Sequence, residues 1–200
     1  MIKRFFDVVC SLLALLLFFW LVCMVWLIAA IDTKTTGLFI QNRIGQFGIP
    51  FKIYKFRTMQ VAPLSESGCI SKVGKFLRRY KLDELPQLFN ILNGEMSMVG
   101  PRPDLAGYYD MLEGDNRKIL QLKPGLTSVA ALKYSNEEPL LAKQELALVY
   151  NNTVIFPDKV RLNLDYYHQR SFWGDVNIVM KTVWFLFFRK KLRSCFVQKK

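Results

Sequence analysis

From Val8 to Ile31 the chain carries no charged residue, an apolar run of 24 positions. A straight helix of that length measures about 36 Å, more than the roughly 30 Å of a bilayer's hydrocarbon core. The run is long for a signal peptide, and no cleavage site follows it. Lys3 and Arg4 precede it; Lys34 and Arg43 follow. With positive charge on both sides, loop asymmetry sets no orientation. The residues alone leave two forms open: a spanning helix, or one that enters the membrane and returns to the same face.

Beyond the run the pattern changes period. Leu38–Ile44 and Phe51–Phe56 read as two short strands joined by a Gly- and Pro-containing hairpin loop. In the second, Phe51, Ile53, Lys55 and Arg57 share a face by the two-residue period, either towards a ligand or as a solvated edge. Val61–Cys69 is a Ser-, Pro- and Gly-rich loop. Ser71 caps a helix carrying Val73, Phe76, Leu77 and Tyr80. Leu85, Leu88, Phe89 and Leu92 mark a second helix, ended by Asn93-Gly94. Pro86 is tolerated only in a first turn, which predicts a start near Asp83. Helices are expected over Leu105–Leu122, Glu137–Tyr150 and Asp158–Arg170. A last stripe runs through Val176, Val179, Met180, Val183, Trp184 and Phe187, and Arg189, Lys190, Lys191 and Arg193 follow. It suits either an interfacial helix on an anionic membrane or a core helix with a basic tail.

Composition narrows the partners. The formal charge is +12, from 28 basic and 16 acidic residues. Such a chain suits anionic lipid, phosphorylated substrates or nucleic acid. No zinc-finger spacing or aromatic RNA-binding motif supports nucleic acid, which is therefore not expected as a partner. Four cysteines, none in a CxxC pair, indicate neither a disulfide framework nor a thiolate zinc site. The single histidine, His168, excludes any mechanism that needs two.

Candidate chemistry concentrates in residues 81–103, KLDELPQLFNILNGEMSMVGPRP. Asp83 stands where an N-cap would, with Glu84 next to it. Capping alone would explain a lone aspartate. Here Arg78, Arg79 and Lys81 lie close in sequence, and a helix start favours bound phosphate. Such surroundings favour an ionised carboxylate, which can attack phosphorus without a general base. Adjacent helical side chains diverge by about 100°, which argues for two roles: one carboxylate attacks and the other binds a cation. Arg102 is held between Pro101 and Pro103, a restricted backbone presenting a bidentate phosphate binder; a plain surface turn is the alternative.

KRFFD near the start, FKIYKFRTM at 51–59, KLDELPQLFNIL at 81–92, MSMVGPRP at 96–103, KPGLTS at 123–128 and LDYYHQRSFWGDVNIVMKTV at 164–183 together resemble the bacterial sugar transferases. These are small monotopic phosphoglycosyl transferases acting on polyprenyl phosphate. The resemblance implies transfer of a sugar-1-phosphate from a UDP-sugar to undecaprenyl phosphate with release of UMP, by a two-step route. It makes Asp83 the nucleophile and Glu84 the ligand of a Mg²⁺ cofactor. Lys55, Arg78 and Arg102 become phosphate-binding residues, with Gln87 and Asp165 as further motif positions. It implies a mainly helical α+β fold with a small β-hairpin and interfacial helices. Residues 1–36 would be a re-entrant membrane helix, and 37–200 a catalytic domain on the cytoplasmic face of the bacterial inner membrane. The sugar, the glycan pathway and the oligomeric state, a homodimer included, stay open. Two stretches depart from the family's pattern. No proline occurs from Met1 to Ile49, where relatives often break the helix at Ser-Pro. Ser128–Tyr134 also differs from the usual residues after Thr127.

Overall fold

The computed structural model describes residues 2–60 and 69–192. The expected loop over Val61–Cys69 falls outside them save for Cys69, as do Arg193 and Cys195. The chain divides into two units: Met1–Arg43 with Pro50–Met96, and Ile44–Ile49 with Ser97–Lys200. The fold is mainly helical, with three small two-stranded sheets among the described residues.

In the first unit the apolar run forms α1, Ile2–Thr33. Its helical geometry lapses at Phe18 (φ −107°, ψ 15°), close to its midpoint. The break is therefore made without proline. Buried positions recur at every fourth residue in each half: Asp7, Ser11 and Leu15, then Val25, Ala29 and Thr33. That spacing is a narrow stripe along one side of a helix. Ser11 and Thr33 donate their hydroxyls to the carbonyls of Asp7 and Ala29, so neither buried hydroxyl is stranded. Between the two stripes, Leu16, Leu17, Phe18, Phe19 and Trp20 are exposed.

Both halves of α1 are held by the same unit. Near its start, Arg4 donates to the carbonyls of Ile91 (2.5 Å) and Leu92 (2.8 Å) at the end of α3, Gln87–Asn93. Ile91 O also accepts from the Gly94 N–H at the helix C-cap, and a cation there suits the negative end of the dipole. Near the other end, Asp32 accepts from the Ser71 hydroxyl at 2.6 Å, and its carbonyl accepts from Gln60. Ser71 also caps α2, Lys72–Arg79, by accepting from Gly74 N–H. Val25 and Ala29 pack with Phe56 and Leu77, flanked by Leu21, Val22, Leu82 and Leu85.

The hairpin forms as expected from β1, Leu38–Ile44, and β2, Pro50–Phe56. β3, Met59–Gln60, pairs antiparallel with β4, Cys69–Ile70. Asn90, fully buried on α3, locks that helix to β2. It accepts from Tyr54 N–H at 3.1 Å and donates to Lys52 O and Glu95 Oε2, both at 2.7 Å.

The second unit contains a parallel pair, β5 (Ser97–Val99) and β6 (Gly125–Thr127). α4 (Val129–Lys133), α5 (Glu137–Leu141), α6 (Ala147–Tyr150), a π-helical turn (Asn151–Ile155), α7 (Phe156–Gln169) and α8 (Phe172–Leu192) follow. Ile44, Tyr109, Ile119, Leu120 and Val160 form one core; Val99, Tyr166 and Ile178 form another. Asp158 on α7 gathers Lys133 (2.6 Å), Tyr134 (2.7 Å) and Arg161 (2.8 Å). Burial works to raise the Asp158 pKa, but those hydrogen bonds outweigh it and hold the carboxyl well below its usual range. Lys159 pairs with Glu137 beside it. Together these tie the segment after β6 to α7.

Two expected helices are corrected. Leu105–Leu122 holds no α-helix but two 3₁₀ turns, Tyr109–Met111 and Gly114–Gln121. The Asp110 carboxylate accepts from the Gly107 and Tyr108 N–H groups, diverting the backbone into a local turn. Gly107 and Gly114 both adopt positive φ. Glu137–Tyr150 is two short helices, α5 and α6, rather than one.

Two outcomes test these contacts. Asn90→Ala strands Lys52 O and Tyr54 N, and is expected to cost roughly 2–4 kcal/mol in denaturant unfolding. The Asp158 network stabilises above the ordinary carboxylate value of about 3.9 and is lost as pH falls below it. Asp158→Asn should therefore lower the melting temperature at pH 7, and the gap from the unsubstituted protein should narrow towards pH 2.

Candidate functional site

The acidic pair is built by a proline. Asp83 and Glu84 lie in a 3₁₀ turn, Leu82–Glu84, and the α-helix itself begins only at Gln87. Asp83 is therefore not the N-cap that the periodicity predicts; that place belongs to Pro86, which offers no side-chain cap. Pro86 has no N–H to return to Leu82, and its ring crowds the carbonyl four residues back. The chain closes tighter instead: Glu84 N–H bonds Lys81 O, Leu85 N–H bonds Leu82 O, and Leu88 N–H bonds Leu85 O. Lys81 enters the turn in the left-handed region (φ 58°).

This tight turn buries both carboxylates, Asp83 to 8% exposure and Glu84 to 6%. Burial of a charge requires a compensating cation or hydrogen bonds. Lys81 Nζ stands 3.4 Å from Glu84 Oε1. α2 packs against the acidic turn from one side and β2 from another. α2 carries Arg78, whose Nε donates to Thr58 Oγ1 at 2.8 Å. β2 carries Lys55 on the strand face it shares with Ile53. Asp83, Glu84, Gln87, Lys55 and Arg78 thus belong to one unit, on four elements packed together.

Arg102 and Asp165 belong to the second unit. The GPRP motif runs on from β5 and is set by a contact of two glycines. A Cβ on Gly125 would stand 2.1 Å from Gly100 N, and one on Gly100 would stand 2.3 Å from Lys123 O. Only glycine allows the two backbones to meet. Gly100 N–H then bonds Thr127 O (3.0 Å), and Gly125 N–H bonds Pro101 O (2.8 Å). Arg102 lines a small cavity with Pro101, Pro103, Tyr109, Ile119 and Leu120. Tyr109 accepts from Asn163 there, and burial, then the nearby Asp104 charge, raises its pKa above the ordinary phenol value. Asp165 is exposed on α7, one turn beyond Arg161.

A metal can be weighed against these donors. Among the described residues no three His, Cys, Asp or Glu side chains cluster as a metal cage. Two buried, adjacent carboxylates do fit magnesium, which takes one or two protein carboxylates and completes its shell with water and substrate phosphates. Gln87 and Asn90 carry a signal that apolar periodicity passes over. They follow Asp83 at steps of four and three, placing buried polar groups along roughly one side of an otherwise apolar helix.

The family description "Bacterial sugar transferase" matches residues 1–189. The chain is 34% identical, over 92% of its length, to a UDP-glucose:undecaprenyl-phosphate glucose-1-phosphate transferase of Escherichia coli. It is 34% identical, over 90% of its length, to a protein of the same name in Caulobacter vibrioides, of which 68% is covered. It is 29% identical, over 91% of its length, to a UDP-N-acetylgalactosamine-undecaprenyl-phosphate N-acetylgalactosaminephosphotransferase of Aeromonas hydrophila. The chain spans about two fifths of the length of the first and third of these, 39% and 43%. With nearly its whole length matched, this chain belongs to the bacterial sugar transferase family.

Proposed function

We propose that this protein transfers a sugar-1-phosphate from a UDP-sugar to undecaprenyl phosphate and releases UMP, the first membrane step in building a surface glycan. The observation that carries the reading is the buried Asp83-Glu84 turn, flanked by cation-bearing elements in a chain whose relatives bear names for this reaction.

The chemistry needs two displacements at one phosphorus. An Asp83 carboxylate oxygen attacks the phosphorus that bears the sugar. The bond from that phosphorus to the bridging oxygen breaks, UMP leaves with the electron pair, and an aspartyl phospho-sugar remains. A phosphate oxygen of undecaprenyl phosphate then attacks the same phosphorus. The bond to Asp83 breaks, the carboxylate is restored, and a polyprenyl diphosphate sugar forms. Positioning and charge neutralisation supply the catalysis in such transfers. Lys55, Arg78 and Arg102 are assigned to the phosphates, and Glu84 to a Mg²⁺ ion. The metal, when bound, offsets charge on the phosphate oxygens.

The acceptor is a lipid, so the chain must meet a membrane. α1 is the one helix among the described residues long and apolar enough to cross one. Two facts favour the re-entrant form. Arg4 and Asp32 are bonded to elements of one and the same unit, and an unbroken run of exposed apolar residues, Leu16 to Trp20, surrounds the break at Phe18. Phe172, Trp173, Met180 and Trp184 on α8 are exposed too and suit the plane of the interface. On this reading both features lie at the cytoplasmic face of the membrane, with the site beside them.

Asp83→Asn should remove UMP release from UDP-sugars, in nanodiscs with Mg²⁺ and undecaprenyl phosphate, while the protein stays folded. Glu84→Gln should lose most activity and flatten the response to Mg²⁺. Substantial turnover by the Asn variant would remove Asp83 as nucleophile. An unchanged magnesium response would remove Glu84 from the metal site.

A further inference from the structure

The buried side of α3 holds two amides that the fold treats in opposite ways. Asn90 uses its amide fully, on Tyr54 N, Lys52 O and Glu95 Oε2. This is how a structural amide is normally buried. Gln87 is just as enclosed, at 1% exposure. Yet its Nε2 has no hydrogen-bond partner among the described residues. Burying an amide donor unmet is costly, and the groups that remain unmet in native proteins call for an explanation.

Position supplies one. Gln87 stands four residues after Asp83, one turn along the same side of the chain, at the first residue of α3. The lock of Asn90 on β2 holds this helix against the strand that carries Lys55. The helix so held starts at Gln87, three residues beyond the acidic turn Leu82–Glu84. A donor fixed next to a nucleophile acts on charge that develops there, without reorganising during the reaction.

We infer that Gln87 Nε2 donates to a non-bridging oxygen of the phosphoryl group while that group is transferred to and from Asp83. The inference rests on the reaction proposed above and gives Gln87 a role in it. The phosphorus is the same in both displacements, so one donor serves both. The amide is met only when a phosphoryl group is present. Stability and activity should therefore respond in opposite ways to its removal.

The test is Gln87→Met, which keeps bulk and removes the donor, with Gln87→Glu as a near-isosteric partner. Each is assayed in nanodiscs for UMP release, for the rate of phospho-sugar loading without acceptor, and for melting temperature without nucleotide. The expected result for Gln87→Met is a kcat and a loading rate lower by about 10²-fold, a KM for the UDP-sugar within about threefold, and an unchanged or higher melting temperature. Gln87→Glu should fall further in rate, because it sets a carboxylate against the phosphoryl oxygens. Activity of Gln87→Met within threefold of the parent overturns the inference. So does a fall in melting temperature that accompanies the activity loss, since that marks a structural amide satisfied by buried water. If the unsubstituted protein releases no UMP from any UDP-sugar, the reaction itself is wrong and the inference falls with it.

Discussion

The two ends of one apolar helix are bonded to one unit, and the account of the membrane and of the site both lean on that constraint. Arg4 reaches the carbonyl end of α3, and Asp32 holds the hydroxyl that caps α2. α2 and α3 are the helices on either side of the acidic turn. A straight helix of 32 residues would run about 48 Å. Spanning a bilayer would carry its ends to opposite surfaces, yet the protein groups they bond belong to the same unit. The lapse at Phe18 lies between the two buried stripes, where the side chains lose protein cover. The apolar helix and the elements around the acidic turn are coupled here by hydrogen bonds rather than by sequence proximity.

The acidic turn illustrates a second economy of means. One proline forbids an α-helical bond and forces a 3₁₀ turn, and that turn draws two adjacent carboxylates inside. Were the helix to start at Asp83 as the periodicity suggests, the aspartate would cap backbone N–H groups. It would then be committed to structure. In the second unit, two glycines meet backbone to backbone to bring GPRP beside KPGLT.

Much of this was legible in the chain. The hairpin, the Ser71 cap, the end of α3 at Gly94 and the membrane-length run all follow from local rules of period and capping. The acidic pair and its cations were visible because charge at a helix start is conspicuous. What was not legible depends on side chains returning to their own backbone or on distant pairing. Apolar spacing at Tyr108, Met111 and Leu112 suggested a helix, but Asp110 takes the N–H groups that a helix would need. Parallel pairing of Ser97–Val99 with Gly125–Thr127 is non-local, and three-residue strands leave little periodic trace. The break at Phe18 has no proline or glycine to announce it. Gln87 was visible only as a motif position of the resembled family with its role open; its burial, and an Nε2 without a partner among the described residues, distinguish it from Asn90.

The central claim is that both ends of α1 lie on one side of the membrane. Single cysteines at Ile2 and Thr36, each in a background with the four native cysteines replaced by serine, would be probed with a membrane-impermeant maleimide. Intact spheroplasts and inverted membrane vesicles expose opposite faces. The account predicts that both positions react in inverted vesicles and neither in intact spheroplasts. Labelling of Ile2→Cys in spheroplasts, with Thr36→Cys protected there, would contradict it and make α1 a spanning helix.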